Sequence, residues 1–570
     1  MSFSKFNFAK QANAIHHQKH GNAPKKYLLF GVQSIQNSAE AASAFLGVAN
    51  QSNLRPLPSI EDKQLQIRID SLITREASRK VFYHFMDHFV PKCPVVLFPT
   101  GTTIETLGEA KPVLLLAILS VASAGFCPIA QQNALILETK RVLADRAFVR
   151  GEKSLELVQA LQISTLWFRA PESFQQVNFN QLARVMITMA VDLELENADF
   201  SPAATTETAW ERAERQRAWL TCFIISESIS LILRQPKMLS WSSNMEELMT
   251  SLQRAQVSPS DEFFCELVRL ELAYYTIDQR LILSSRQRPT SAHNTSPRDA
   301  AERTPPRTID RESCTFNELQ RALIDFGQSV ALLYAREPAM HVNHNISEFA
   351  APFALKSLKA CTFIHAQTSS ADLVLLQETM TASHALLNCF LGLSLVDMLA
   401  LPPHIYGGRI IYSLIVLCKL YKTIKKSTVD TSAVLPFEDI RLEEHLERLG
   451  AVAKDLMIRD ERNCLSRSFL IVEELKKWRF EESKSTQSRP SMRSNSGFSN
   501  SDYDQQAPLI GQPYSDPGSV TKDQNAAIAE QSAIQLLCSE GSDPLFWDTE
   551  LNCDWFFDDA VNTVDFDMPH

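Results

Sequence analysis

The stretch WERAERQRAWLTCFIISESISLILRQP, residues 210–236, decides the fold. Its first half is charged, its second half is apolar, and a proline closes it. At 100° per residue Leu220, Ile224 and Leu231 fall within about 40° of one another, with Phe223 on the flank. That spacing predicts one long helix with a buried stripe, stopped at Pro236, which has no backbone donor to give. Glu227 lies on the same stripe. A buried carboxylate needs a cation beside it, and an arginine from a neighbouring helix is the expected partner.

The segments on either side repeat the helical period. Phe82, Phe85, Met86 and Phe89 share one face, and Pro91 with Pro94 is expected to end their helix. Pro112 stands where a first-turn proline belongs, ahead of an apolar run over 113–124 that predicts a helix buried on most sides. Ser154 is placed to cap a helix carrying Leu157, Leu161 and Phe168 on one stripe. Further helices are expected over 180–195, 259–283, 316–334, 352–367, 373–393 and 408–421, and two more over 441–480. Only 16 glycines occur in 570 residues. Tight β-turns and phosphate-cradling loops need glycine at positive φ, so an all-α, multi-helix fold is expected.

Composition divides the chain. Residues 1–64 are rich in Gln, Asn, Ser and Ala and read as a flexible segment. Residues 65–285 form a first helical half, and 286–313, crowded with Arg, Pro, Ser and Thr, read as a disordered linker. Residues 314–481 form a second helical half, 482–530 a second linker, and 531–570 an acidic aromatic tail. In that tail Phe546, Trp547, Leu551, Trp555, Phe556, Phe557 and Phe566 alternate with Asp and Glu, and no Lys or Arg follows Lys522. Like charges keep such aromatics solvated and apart, ready for capture in a partner's groove, which is the chemistry of an activation tail. The bland alternative is a terminal helix that packs back on the core through its aromatics.

Other chemistries have little support. A net charge of −10 argues against holding nucleic acid by the overall field. The 11 cysteines are scattered with no Cys-x-x-Cys pair, so they read as reduced, mostly buried thiols of an intracellular protein rather than metal ligands. No Gly-x-Gly-x-x-Gly, P-loop, Gly-x-Ser-x-Gly or His-Glu-x-x-His motif is present, and no enzymatic activity is expected. His341, His344 and Glu348 fall between Pro338 and Pro352 and read as a surface loop. No signal-peptide core is evident, and the apolar run over 410–418 is far short of the roughly 20 residues a membrane span requires.

The order Glu214, Arg215, Arg217, Trp219 and then Arg234-Gln235-Pro236 resembles the middle homology region of fungal zinc-cluster transcription factors. Residues 237–247 look most like the branch containing weak-acid-resistance and secreted-protease regulators. The proline-closed aromatic helix at 82–94, the Leu-x-x-Val-Gln-Ala-Leu run at 155–161 and the Pro402-Pro403 turn before Tyr406, Arg409 and Tyr412 extend the resemblance over 65–480. At Asp192-Leu193-Glu194 the chain departs from the Gly-Leu pair usual in that family.

The resemblance implies a nuclear activator of RNA polymerase II genes, with secreted-protease, stress or secondary-metabolite genes as targets. It also implies a helical regulatory domain that answers a small-molecule effector and restrains the tail, and transcription coactivators as the tail's partners. Relatives carry an N-terminal six-cysteine cluster holding two zinc ions, whereas residues 1–92 here contain no cysteine. No zinc or other cofactor is therefore expected. DNA is reached only indirectly, through a zinc-cluster homologue as dimer partner, unless an upstream exon is missing. The alternative is a non-activating helical binding protein that sequesters or scaffolds such regulators.

Overall fold

The computed structural model describes residues 60–171, 178–197, 208–233, 235–286, 316–341 and 368–487, together with Phe349, Leu358, Phe363 and Ile364. Among these residues the only β pairing is a single antiparallel bridge between Arg169 and Asn463, and the expected all-α class holds.

In chain order the helices of the first half are α1 (Ile60–Leu72), α2 (Arg75–His84), α3 (Ile104–Ala110), α4 (Pro112–Ala122), α5 (Ile129–Ala144), α6 (Leu155–Leu166), α7 (Phe179–Asp192), α8 (Ala209–Leu233), α9 (Ser243–Ala255) and α10 (Ser260–Arg286). The second half contributes α11 (Glu318–Arg336), α12 (Ser370–Leu391), α13 (Leu395–Ala400), α14 (Pro403–Lys426), α15 (Leu442–Arg459), α16 (Cys464–Ser468) and α17 (Ile471–Gln487). Local chemistry sets most starts. Thr74, Ser154, Ser242, Ser369 and Ser394 each accept a backbone N–H two or three residues into the helix they precede. Pro112 and Pro403 occupy the first turns of α4 and α14, where the absent donor costs nothing.

Residues 210–233 of the segment lie in one helix, α8, but it is buried on every side rather than along a stripe: no residue from Gln216 to Ile232 is exposed. Helices α6, α7, α9, α10 and α14 surround it. Helix α14 is its counterpart in the second half, buried from Ile405 to Ile424 and packed on α8, α12, α15 and α16. One hydrophobic cluster runs from Leu65 to Trp478 through both. At roughly 25 cal/mol per Å² of apolar surface, two helices buried all round supply a large share of the driving force.

Several details depart from expectation. Helix α2 gives way to a π-helical turn, Phe85–Phe89, before Pro91 is reached. The stretch over 441–480 holds three helices, because Asn463 caps the short α16 by accepting from Leu465 N at 2.8 Å while its amide donates to Leu399 O at 3.0 Å. Helices α3 and α5 carry no strong apolar period; α9 does, with Met245, Leu248, Met249 and Leu252 on one buried face behind the Ser242 cap, and it is a further helix beyond those expected. At the end of α7, Glu194 takes φ = 52° and Leu195 N closes on Ala190 O at 3.1 Å, the left-handed cap geometry that glycine adopts without strain. Of the helix expected over 352–367 only Leu358, Phe363 and Ile364 are described, and residues 1–59, 287–315 and 488–570, with the expectations that fall on them, lie outside the described residues.

A buried ion-pair centre between the two central helices

Where α8, α10 and α14 meet, the apolar core holds charge. Arg409 of α14, 2% exposed, donates from Nη2 to both oxygens of Glu271 at 2.8 Å and to Ser228 Oγ of α8 at 3.1 Å. Its guanidinium lies 4.6 Å from the ring centre of Tyr274, whose hydroxyl donates to Gly327 O on α11 at 2.8 Å. A Cβ at Gly327 would lie 2.5 Å from Leu270 Cδ1, so only glycine permits this approach. Burial raises the Glu271 carboxyl above its ordinary range, and the Arg409 charge opposes that rise.

Glu227 is fully buried and does not pair with an arginine from a neighbouring helix. Its partner is Lys237, whose Nζ donates to the two carboxylate oxygens at 2.7 and 2.9 Å. The chain turns back after Pro236, and Leu239 N donates to Ser226 Oγ at 3.0 Å, which brings residue 237 alongside the helix it has just left. Lys237 also reaches Asp278 at 3.2 Å and covers the Tyr275 ring at 4.3 Å. Burial pushes the Glu227 carboxyl up to about 7 despite the lysine.

The other residues that carried the resemblance are braces of the same core. Arg217 pairs with Asp261 at 2.6 Å, and Glu214 accepts from Lys111 and from Gln159, the latter at 2.9 Å. Arg215 donates to Leu193 O at 3.3 Å, and Trp219 is buried. Arg234 lies outside the described residues. The void beside Arg409, lined in part by Cys93, Tyr274 and Tyr406, offers about 20 Å³, room for about one water. Burial drives the Cys93 thiol well above its ordinary range, so it stays protonated. The centre can hold helices in register; it has no room for a substrate.

His341 stands in the expected stretch but is half-buried rather than on the surface. His341 closes the 3₁₀ turn Glu337–Met340 with Nε2 2.8 Å from Glu337, and Glu337 also accepts from the Tyr412 hydroxyl. His344 and Glu348 lie outside the described residues, as do the seven candidate tail contacts Phe546, Trp547, Leu551, Trp555, Phe556, Phe557 and Phe566. Cys93, Cys127, Cys222, Cys265, Cys418 and Cys464 are buried, with Cys389 half-buried. Among the described residues no group of three or more His, Cys, Asp or Glu is placed to hold a metal ion.

Two buried polar contacts carry no sequence signal. Arg169 holds Asp460 with two hydrogen bonds, at 2.5 and 2.7 Å, across 291 residues of chain. His384 of α12 stacks on His445 of α15, with Nδ1 2.8 Å from His445 Nε2 and its own Nε2 3.0 Å from Asp439 O. A carbonyl only accepts, so His384 carries its proton on Nε2. His445 therefore donates from Nε2, and its buried Nδ1 has no partner.

Comparison with known proteins finds similarity to fungal transcription factors. Residues 55–330 match the family described as the WAR1 C-terminal domain. Transcription factor pbcR of Emericella nidulans is 30% identical over 214 residues, 34% of this chain and 28% of that protein. Transcription factor himD of Aspergillus japonicus is 29% identical over 256 residues, 43% of this chain and 39% of that protein. Transcriptional regulator WAR1 of Candida albicans is 21% identical over 238 residues, 38% of this chain and 24% of that protein. The matched region thus spans well under half of each relative's length. No solved structure matches the chain. Residues 55–330 are thus similar to the WAR1 C-terminal domain, and the chain shows distant similarity to fungal transcription factors.

Proposed function

We propose that the protein is a fungal nuclear regulator that activates RNA polymerase II genes, with the helical core as its regulatory part and residues 531–570 as the tail that recruits coactivators. The match over 55–330 to a domain of transcriptional regulators carries the reading. The tail's alternation of acidic and aromatic residues supports it. A small-molecule effector acting on the core, and a zinc-cluster homologue as dimer partner, complete the proposal. None of the helices among the described residues is long and apolar enough to cross a membrane.

The experiment is a promoter-tethered reporter. The full chain should activate it, and deletion of 540–570, or alanine at the seven tail contacts, should abolish activation while leaving protein level unchanged. Unchanged activity in the deletion would sink the tail assignment. Silence of the full chain together with co-purification of a zinc-cluster homologue would establish the scaffold reading instead.

A further inference from the structure

A cleft of about 260 Å³ opens where the two halves meet, between the π-helical turn Phe85–Phe89 and helix α13. Its first wall is a set of rings. The His84 centroid lies 5.6 Å from that of Phe89 and 4.9 Å from that of Phe126. Val396 and Leu399 of α13 form the opposite wall. Phe126 and Val396 remain 39% and 38% exposed although they line the same concavity. Large apolar side chains left open in a concave site are the ordinary mark of a binding surface.

The electrostatics select the occupant. Neither ring nitrogen of His84 has a hydrogen-bond partner among the described residues. Burial, with help from His88 and Lys92, pushes this imidazole down to about 4, so it is neutral at pH 7 and offers one donor and one acceptor. The carboxylate at the cleft, Asp460, is already neutralised by Arg169. Arg459 stands at the solvent-exposed rim, where water screens its charge. At about 260 Å³ the cleft lies just below the roughly 300–1,000 Å³ usual for small-molecule sites, so its occupant is small.

We propose that this cleft binds a flat, uncharged, largely aromatic molecule of one or two fused rings, bearing one group that hydrogen-bonds to His84, and that the effector of the regulatory core acts here. The effector role rests on the regulatory reading above; the binding site does not. The walls come from residues 84–126 on one side and 396–460 on the other, so an occupant favours the packed arrangement of the two halves over any looser one. The ion pair of Lys92 with Asp397, at 2.8 Å, crosses the same seam.

The test uses the full chain with 2-naphthol and indole as neutral probes and naphthalene-2-sulfonate as the charged counterpart, read by saturation-transfer NMR and calorimetry. The neutral probes should bind saturably below about 1 mM. Val396→Trp, which fills the cleft from an exposed position, should weaken them by about tenfold or more, and so should Phe126→Ala. His84→Phe keeps the ring and should weaken 2-naphthol more than a probe lacking its hydroxyl, naphthalene. Equal affinity in wild type and both cleft variants, no saturable binding, or tighter binding of the sulfonate than of 2-naphthol would overturn the proposal. Circular dichroism melts identify a variant that fails to fold, in which case the other variant decides. The tethered reporter is a separate readout, so either idea can fail alone.

Discussion

Replacing His445 with glutamine should flatten the loss of stability on acidification. In the folded protein both imidazoles of the His384–His445 pair are held neutral: burial lowers His384, and burial with the neighbouring His384 pushes His445 down to about 4. In the unfolded chain both take protons near the ordinary value of about 6.5. The unfolded state therefore binds more protons below about pH 6.5, and stability falls as pH drops from there towards 4. A drop of about 2.5 pH units at about 1.36 kcal/mol each gives an upper bound of about 3.4 kcal/mol from His445, reduced to about 2 kcal/mol by partial solvent screening. The incoming proton must go to His445 Nδ1, which faces no acceptor. Arg441 and Arg448 on its own helix and its cap oppose it, and Glu444 favours it. From the other elements, the neighbouring His384 of α12 also opposes it, and the Asp439 carboxylate of the preceding turn acts on His384. In His445→Gln the amide can still donate to His384 Nδ1 but cannot titrate. The assay is urea unfolding of both proteins at pH 6.5 and 4.5. The wild type should lose about 2 kcal/mol more than the variant over that interval. An identical pH dependence in the two proteins would refute the tautomer assignment and the burial argument together.

Other outcomes follow from the same structure. Lys237→Met strips Glu227 of its cation and should cost about 3 kcal/mol at pH 8, measured by thermal unfolding. Because the Glu227 carboxyl is raised to about 7 and the unfolded value is near 4.5, its protonated form favours the fold at low pH, so the same variant should be milder at pH 5. Gly327→Ala places a methyl against Leu270 and breaks the approach of Tyr274, which should cost about 1–3 kcal/mol in denaturant unfolding. Glu194→Gly should raise the melting temperature, since relief of a left-handed non-glycine residue is worth about 1 kcal/mol; a lower melting temperature would show that the Glu194 side chain does more than occupy the cap.

The periods and punctuation that dominate short stretches were legible. Pro112 and Ser154 mark helix starts that the structure retains, because capping and proline geometry act within one turn, whereas the helix expected over 408–421 begins earlier, at Pro403 itself. The all-α class followed from the same signals. What the sequence hid is contact between distant residues. Burial of α8 on all sides depends on five neighbouring helices, and nothing within residues 209–233 announces them. The Glu227 partner was misplaced for a related reason. Its carboxylate demanded a cation, but the turn after Pro236 decided that the cation would be ten positions away on the same chain segment. The seven tail contacts, six aromatics and Leu551, rest on composition alone and lie outside the described residues.

The two ionic contacts under α8 differ in when they can form. Lys237 meets Glu227 across 10 residues and Leu239 meets Ser226 across 13, distances that loop closure spans in well under a microsecond. Arg409 meets Glu271 across 138 residues. At about 5–20 residues per second, that stretch takes roughly 7–30 s to synthesise. During that interval the nascent first half holds Glu271 at its centre without its cation, and α8 without the helix that seals it. The long helix and its return turn are thus an early, self-contained unit, while the burial that makes them stable arrives only when residues 403–426 leave the ribosome.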